Sequence, residues 1–404
     1  MFTENLFVRI AAILLLPLMI ISCFNLSAQA ENEVGDGALD VTQGNGIESV
    51  KDILALDCRS AILMEASTGA VLYEQNADEA LPPASVTKIM TLLLVMEAID
   101  EGKISLDDTV TTSERAASMG GSQIFLKVGE QMSVEDMIKS VVISSANDAA
   151  CALAEHVSGS EEAFVKAMNE RAAQLGMKNT TFENTNGLDD TAENHLTSAR
   201  DIAIMSRELI KHKKILEYSS IWMDSVRNGA FGLTNTNRLV RFYRGCTGLK
   251  TGSTSKAGFC VSATAERDGM SLICVIMGAE TRDIRNAQAT KLLDWGFANY
   301  GIYTHNGEAV EGVKVIGGVK DSVSGEYSDF SYVCEKSLAS KIEYSVELPE
   351  YVSAPIGVGD KIGEVVYTCE GREVGRTDIC ATEEIGKIGF AELWYRILAK
   401  FVLK

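Results

Sequence analysis

Residues 85–101 form an apolar stretch without a polar face, and this stretch constrains the fold more than any other part of the chain. Prolines at positions 82 and 83 keep the residues before it out of a helix. The apolar side chains that follow are distributed around a helix: Ile89, Met90, Leu92, Leu93, Leu94, Val95, Met96 and Ile99. A helix that is hydrophobic on almost every side belongs in the interior of a protein. The sequence therefore predicts a helix at the centre of a domain.

Strand-like segments lie on both sides of a mostly helical middle region. Residues 60–65 and 70–73 are joined by a Ser-Thr-Gly turn, and residues 257–266 and 270–277 are joined by Arg-Asp-Gly, so each pair predicts a hairpin. Helical patterns occur at 133–144, 147–157, 160–175, 198–212 and 286–299. This order predicts an α+β catalytic domain over residues 57–302, with one antiparallel sheet assembled from both ends of the domain.

The composition and the residue pattern change in the C-terminal part of the chain. Residues 303–382 contain short alternating segments rich in Val and Gly, which predict a small all-β domain. Residues 383–404 form an amphipathic helical pattern with apolar side chains at 390, 393, 394, 397, 398 and 401, and with basic residues elsewhere. We expect this helix to lie in a membrane interface. The alternative is a helix docked on the β domain through its apolar stripe.

The first thirty residues have the composition of a secretory signal peptide. Arg9 precedes an apolar run over residues 10–21, which is too short for a confident membrane span, and Ala-Gln-Ala at 28–30 resembles a cleavage site. The residues around Cys23 also resemble a lipobox, in which case that cysteine would be acylated. Residues 31–56 are acidic and contain four glycines, so we expect a flexible lead-in.

Charge and cysteine usage exclude several classes of function. The net charge of -19 argues against nucleic acid or another polyanion as a partner. None of the nine cysteines forms a C-x-x-C pair, so neither a zinc ribbon nor a thioredoxin-like site is indicated. Cys369 and Cys380 could pair across a hairpin, which spacing alone does not decide. The scattered histidines suggest no metal site, and we expect no cofactor.

Three short motifs carry the chemistry: Ser-Val-Thr-Lys at residues 85–88, Ser-Ala-Asn at 145–147 and Lys-Thr-Gly at 250–252. Any one of them is weak evidence, but the three in this order are specific. Ser85 at the start of a helix places Lys88 one turn further on the same face, within reach of the hydroxyl. Lys88 can act as a base if burial and nearby positive charge lower its pKa. The ordinary alternative is an N-cap serine followed by a solvated lysine.

The other two motifs predict substrate contacts. We expect Ser145 to relay a proton and Asn147 to bind a substrate amide, although both residue types are also good helix caps. Lys250 would add positive charge, and Gly252 would allow close approach of an extended peptide to an edge strand. We expect Thr251 and Arg285 to receive a free carboxylate of the substrate. A surface arginine that opens a helix is the alternative interpretation of Arg285.

Together with Glu-Asn-Thr-Asn-Gly-Leu at 183–188 and the segment 195–201, these motifs resemble the low-molecular-mass penicillin-binding D-alanyl-D-alanine carboxypeptidases over nearly the whole mature chain. The resemblance implies a transpeptidase-like or β-lactamase-like domain, a small β-rich domain and a C-terminal membrane-binding helix. Three positions depart from the family pattern: Ala146 replaces the usual Gly, Ser253 follows Lys-Thr-Gly where some relatives have His, and Thr236 stands where some members use Arg. His195 is expected to be structural, because lysine activates the serine in this family.

The resemblance implies a serine enzyme that removes the terminal D-Ala from peptidoglycan stem peptides through an acyl-enzyme on Ser85. β-Lactams are then expected to acylate the same serine, and the enzyme is expected at the outer face of the cytoplasmic membrane. A β-lactamase is one alternative, but neither Glu183 nor Glu193 lies in a recognisable deacylation motif. A non-catalytic penicillin sensor or wall-binding module is the other.

Overall fold

The computed structural model describes residues 54–188 and 192–402. The proposed signal peptide, Cys23 and most of the 31–56 lead-in lie outside these residues. The ten α-helices of the described residues, numbered α1 to α10, are Lys88–Asp100, Glu114–Ala117, Val134–Ser144, Asn147–Ser158, Glu161–Gln174, Ala199–Leu209, Lys213–Ser219, Leu239–Phe242, Arg282–Asn299 and Phe390–Val402. Short 3-10 helices cover Ala84–Thr87 and Ala339–Lys341.

The described residues also form seventeen strands. Strands β1 to β9 are Ser60–Glu65, Val71–Gln75, Thr109–Thr111, Gln131–Ser133, Met223–Val226, Phe231–Thr234, Cys246–Thr254, Gly258–Arg267 and Met270–Ala279. Strands β10 to β17 are Tyr300–His305, Ala309–Ile316, Ser322–Glu326, Phe330–Glu335, Ile342–Glu347, Val352–Ser353, Lys361–Cys369 and Arg372–Ala381.

The main sheet contains strands from both ends of residues 57–302, as the sequence predicted. Its five strands lie in the order β2-β1-β9-β8-β7, and all neighbours are antiparallel. Strand β1 pairs with β9 across about two hundred residues of chain, for example Ile62 opposite Val275. The order leaves β7 at one edge of the sheet.

Side chains alternate between two cores, one on each face of this sheet. Ile62 and Val275 point towards the helical cluster, whereas their neighbours Leu63 and Cys274 point towards α9. Helix α1 lies in the helical cluster, where nine of its side chains are buried. The all-round apolar pattern of residues 85–101 thus correctly predicted a central helix.

The part of the chain after α9 is rich in β-structure. Six strands form a sheet in the order β14-β16-β17-β12-β11-β15 around its own apolar core, and β10 pairs with β13. Helix α10 follows the last strand. The predicted α+β class, with a small all-β part and a C-terminal helix, is confirmed. In the described residues, no helix is both long enough and apolar enough to span a bilayer.

Several sequence predictions need correction. The helix predicted over 198–212 ends at Leu209, and α7 begins at Lys213. The helix predicted to begin at 286 begins at Arg282, because the Thr281 hydroxyl accepts a hydrogen bond from the Ile284 amide and caps it. Cys369 and Cys380 carry free thiols: they lie at opposite ends of the β16–β17 hairpin, so they do not pair.

Candidate active site

The first motif lies where a 3-10 turn passes into α1. Ser85 belongs to the turn Ala84–Thr87, and Lys88 is the first residue of the α-helix. The Nζ atom of Lys88 lies 2.9 Å from Oγ of Ser85. Lys88 is completely buried, so the interpretation of these residues as a helix cap and a solvated lysine is wrong. Burial, and then the positive charge of Lys250, hold the pKa of Lys88 well below its ordinary value, against a smaller opposing effect of Asp148.

A backbone carbonyl that sequence reasoning did not assign completes the environment of Lys88. The carbonyl oxygen of Asn186 lies 2.8 Å from Nζ of Lys88. A neutral amine has two N–H bonds and one lone pair, so a hydrogen bond to Asn186 leaves the lone pair free to turn towards Ser85. The segment 183–188 was noted in the sequence for its resemblance alone, and nothing in its residue types marks a main-chain oxygen.

Gly187 allows this segment to lie against the nucleophile's turn. Its φ is +84°, and a Cβ at this position would lie 1.8 Å from the carbonyl oxygen of Ala84. Any other residue would push the 183–188 segment away from the Ala84–Thr87 turn. We expect Gly187→Ala to lower the rate of serine acylation about a hundredfold while the sheet still forms, because the Asn186 carbonyl then leaves Lys88. An acylation rate equal to that of the wild type, measured with a fluorescent penicillin, would contradict this expectation.

The second motif lies at the junction of α3 and α4. Ser145 has a left-handed backbone, with φ of 62°, and its Oγ lies 2.9 Å from Nζ of Lys250. The N-cap of α4 is Ala146, which makes no side-chain capping bond, so capping does not explain the motif. Asn147 donates from Nδ2 to the carbonyl of Gly120 at 2.7 Å. Its Oδ1 is buried and has no hydrogen-bond partner among the described residues, which leaves an acceptor for a ligand N–H.

The third motif lies inside the edge strand β7 rather than at its end, because Ser253 and Thr254 continue the strand. A Cβ on Gly252 would come within 2.8 Å of both the Pro83 carbonyl and the Ser85 amide, so glycine lets the strand approach the nucleophile's turn. Lys250 is buried, and burial together with the charge of Arg285 lowers its pKa to about 7.

Thr251 and Arg285 lie in the same cleft. The hydroxyl of Thr251 donates to Oγ1 of Thr236 at 2.8 Å, so the position where some family members carry Arg contacts the third motif directly. Arg285 is only 3% exposed and donates to Oδ1 of Asn286, so the interpretation as an ordinary surface arginine is wrong. Burial, followed by the charges of Arg282 and Arg238, lowers the pKa of Arg285 to about 10.

The structure brings five of the eight sequence-predicted residues into the lining of one cleft of about 690 Å³. These five are Ser85, Ser145, Thr251, Gly252 and Arg285. Lys88 and Lys250 lie behind the lining and contact its two serines, and Asn147 follows Ser145 by two residues.

His195 has the structural role that the sequence indicated. Thr87 Oγ1 donates to the Ala84 carbonyl, so Nε2 of His195, 2.8 Å from that hydroxyl, must be the donor. Nδ1 accepts from the Glu183 amide at 3.0 Å. This fixes a neutral tautomer in a buried position. Within residues 54–188 and 192–402, no three His, Cys, Asp or Glu side chains are placed to hold a metal ion.

Comparison with known proteins finds two matching family models and several relatives. The model of the D-alanyl-D-alanine carboxypeptidase family matches residues 47–281, and that of the C-terminal domain of penicillin-binding protein 5 matches residues 302–387. The D-alanyl-D-alanine carboxypeptidase DacF of Bacillus subtilis is 45% identical over 345 residues, which cover 83% of this chain and 88% of that protein.

Solved structures of penicillin-binding proteins have a similar fold. Penicillin-binding protein 5 of Haemophilus influenzae superposes with a TM-score of 0.73 at 33% identity, covering 82% of this chain and 98% of that one. Penicillin-binding protein D2 of Listeria monocytogenes, in its ampicillin-bound form, has a TM-score of 0.55 at 35% identity, covering 60% of this chain and 98% of that one.

Proposed function

Because the chain belongs to the D-alanyl-D-alanine carboxypeptidase family, we propose that it is a serine-type enzyme that removes the terminal D-Ala from peptidoglycan stem peptides. β-Lactams inhibit it by acylating the same serine. The observation that carries this proposal is the 2.9 Å separation between a fully buried lysine amine and the Ser85 hydroxyl in the cleft.

Acylation begins when neutral Lys88 takes the Ser85 proton and Oγ attacks the carbonyl carbon of the penultimate D-Ala. The C–N bond then breaks, and the leaving amine of the terminal D-Ala receives a proton. Ser145 relays that proton, since its hydroxyl is hydrogen-bonded to Lys250 on the same wall of the cleft. The start of the helical segment at Ser85 adds partial positive charge near the developing oxyanion.

Strand β7 holds the substrate in an extended form. Its outer edge has no strand neighbour in the five-stranded sheet, so a peptide can add to it through main-chain hydrogen bonds. The orphan Oδ1 of Asn147 accepts a substrate amide N–H. Thr251 and Arg285 bind the terminal carboxylate, which restricts the reaction to free C-termini. Water then hydrolyses the ester, with Lys88 again as the base, and no cofactor is needed.

Two other functions receive less support. A β-lactamase needs rapid deacylation, but Glu183 and Glu193 are exposed and neither lines the cleft. A non-catalytic penicillin sensor would need the same serine and lysine for acylation, but the family model that matches this chain is that of the carboxypeptidases. The lifetime of the penicillin adduct distinguishes a carboxypeptidase from a β-lactamase, because the adduct is long-lived in the first and short-lived in the second.

Release of D-alanine tests the proposed activity. We expect the purified enzyme to liberate D-Ala from a synthetic pentapeptide ending in D-Ala-D-Ala and to leave the matched peptide ending in D-Ala-L-Ala intact. Chiral chromatography of the released amino acid measures both reactions. A protein that binds penicillin but releases no D-Ala would be a sensor, and the proposal would fail.

We further propose that the enzyme works in the cell envelope, at the outer face of the cytoplasmic membrane. Residues 1–30 would direct export, 31–56 would form a lead-in, 57–302 the catalytic domain, 303–382 the β-rich domain and 383–404 the membrane-associating helix. Lipidation of Cys23 remains the alternative to cleavage after Ala30.

The exposed apolar face of α10 supports attachment to a membrane. Five of the large side chains in its apolar stripe are at least 40% exposed: Phe390, Leu393, Trp394, Ile397 and Leu398. Arg396 ties the helix to the β-rich part through Asp321 at 3.0 Å, while the apolar side chains stay uncovered. An apolar stripe buried on the β domain, the alternative, would not leave these residues exposed.

Deletion of residues 386–404 is expected to release the enzyme from membranes without loss of D-Ala release. The catalytic cleft lies wholly before residue 286, so truncation leaves it intact. Fractionation of cells that express the two forms, with a penicillin label as readout, measures the shift. A truncated enzyme that stays in the membrane fraction would refute this role for the helix.

A further inference from the structure

The cleft continues past Arg285 into a region that the proposed reaction leaves unused. Its lining there comprises Arg238, Arg282, Trp222 and Phe242, which we call the distal subsite. The side chain of a terminal D-Ala is a single methyl group. It cannot reach two further guanidinium groups and two aromatic rings once its carboxylate lies at Arg285.

The charge of this region is opposite to that of the chain. Among residues 54–188 and 192–402, three arginines and no carboxylate line the cleft, although the chain has a net charge of -19. Arg238 forms an ion pair with Asp283 at 4.0 Å. The Asp283 side chain is 90% exposed to solvent. Such an exposed pair neutralises little charge. Guanidinium groups gathered in a cleft favour a bound anion, and they bind carboxylates with two parallel hydrogen bonds.

Arg282 and Arg238 lie about as far from Arg285 as the side-chain carboxylate of a bound acidic residue would lie from its α-carbon. Arg282 and Arg285 are three residues apart on α9, so their Cβ atoms are roughly 5–6 Å from each other on one face of the helix. Arg238 reaches the same place from the start of α8, since it contacts the residue that follows Arg282. A side chain of two methylene groups and a carboxylate spans a similar distance, roughly 5 Å from its α-carbon.

The aromatic pair supplies a wall for the methylene groups. The rings of Trp222 and Phe242 meet edge to face at 6.3 Å, and the Arg241 guanidinium lies 5.4 Å from the first ring. Phe242 is 73% exposed, with the Arg241 guanidinium 5.5 Å from its ring, so the rest of the side chain is open to a ligand.

We propose that the distal subsite binds the side chain of the leaving residue and favours a D-amino acid whose side chain is anionic. This inference rests on the proposed carboxypeptidase reaction, because it assigns the α-carboxylate of the leaving residue to Thr251 and Arg285. The enzyme is then not restricted to terminal D-Ala: it also removes a terminal D-residue with a second carboxylate.

Three peptides that differ only in the last residue test the specificity. They end in D-Ala-D-Ala, D-Ala-D-Glu and D-Ala-D-Gln, and the last two differ in charge but hardly in shape. We expect kcat/KM for the D-Glu peptide to exceed that for the D-Gln peptide about tenfold, the effect of one charge-assisted contact. Equal values for the two peptides, or a preference for D-Gln, would overturn the proposal.

Arg282→Gln and Arg238→Gln show whether the subsite causes the preference. Each is expected to reduce the D-Glu to D-Gln ratio to near one, while the enzyme still releases D-Ala from the first peptide. Arg244→Gln removes the same charge from an exposed arginine that lines a different cavity, and it should leave the ratio unchanged. A ratio that survives both cleft substitutions, or that falls equally in the control, would refute the assignment.

The same experiment tests the carboxypeptidase reaction and the distal subsite separately. If none of the three peptides is cleaved, the carboxypeptidase proposal itself fails. If D-Ala is released but the ratio is flat, the carboxypeptidase proposal stands and the distal subsite does not.

Discussion

Ser85→Ala is expected to abolish both D-alanine release and covalent labelling by penicillin, with a loss of about ten-thousand-fold or more in kcat/KM. The substitution removes only the hydroxyl group. Ser85 lines the cleft, and its Oγ lies beside Nζ of Lys88. Since acylation by substrate and by β-lactam uses the same Oγ, the two activities must fall together. D-Ala release and a fluorescent penicillin gel measure them on one preparation.

A matched serine controls for loss of folding. Ser337 is exposed in the β-rich part of the chain, far in sequence from the cleft, and Ser337→Ala should retain both activities. The thermal transition of Ser85→Ala should match that of the wild type. Persistent labelling of a folded Ser85→Ala protein would show that another residue is the nucleophile.

Removal of the Lys88 amine is expected to lower the acylation rate by about a thousandfold, the usual contribution of a general base. Lys88→Gln leaves a polar side chain that is one atom shorter and cannot take the Ser85 proton. Lys178→Gln, at an exposed position, should have no effect. Stopped-flow acylation by a chromogenic β-lactam gives the rate constants, and a Lys88→Gln enzyme as fast as the wild type would exclude Lys88 as the base.

The pH profile reports the protonation of the same amine. Lys88 is active when neutral, so the acylation rate should fall as pH decreases through its pKa, which burial and Lys250 hold well below the ordinary value. Removing the neighbouring charge in Lys250→Gln lowers the overall rate, and it should also raise the pKa of Lys88 and move the acid limb to higher pH. An acid limb that stays in place or moves to lower pH would contradict the coupling of the two lysines.

Contacts in the site could be predicted from the sequence where the interacting residues are close along the chain. Ser85 and Lys88 are separated by one helical turn, so their contact follows from helix geometry alone. The burial of α1 followed from its composition, and the antiparallel sheet followed from the order of strand and helix patterns.

Contacts between distant segments were harder to predict. The Asn186 carbonyl reaches Lys88 over 98 residues of chain, and a main-chain oxygen leaves no mark in residue type. The burial of Arg285 depends on how α9 packs against the sheet, which a single arginine at a helix start does not reveal. The family pattern marked Thr236 as a position where some members use Arg, but it did not indicate the contact of Thr236 with Thr251.

The most direct test of the account is to locate the penicillin adduct on the wild-type enzyme. Mass spectrometry of the labelled and digested protein should show one acylated peptide, with the added mass on Ser85. An adduct on any other residue, or a labelled enzyme whose Ser85 peptide is unmodified, would contradict the account.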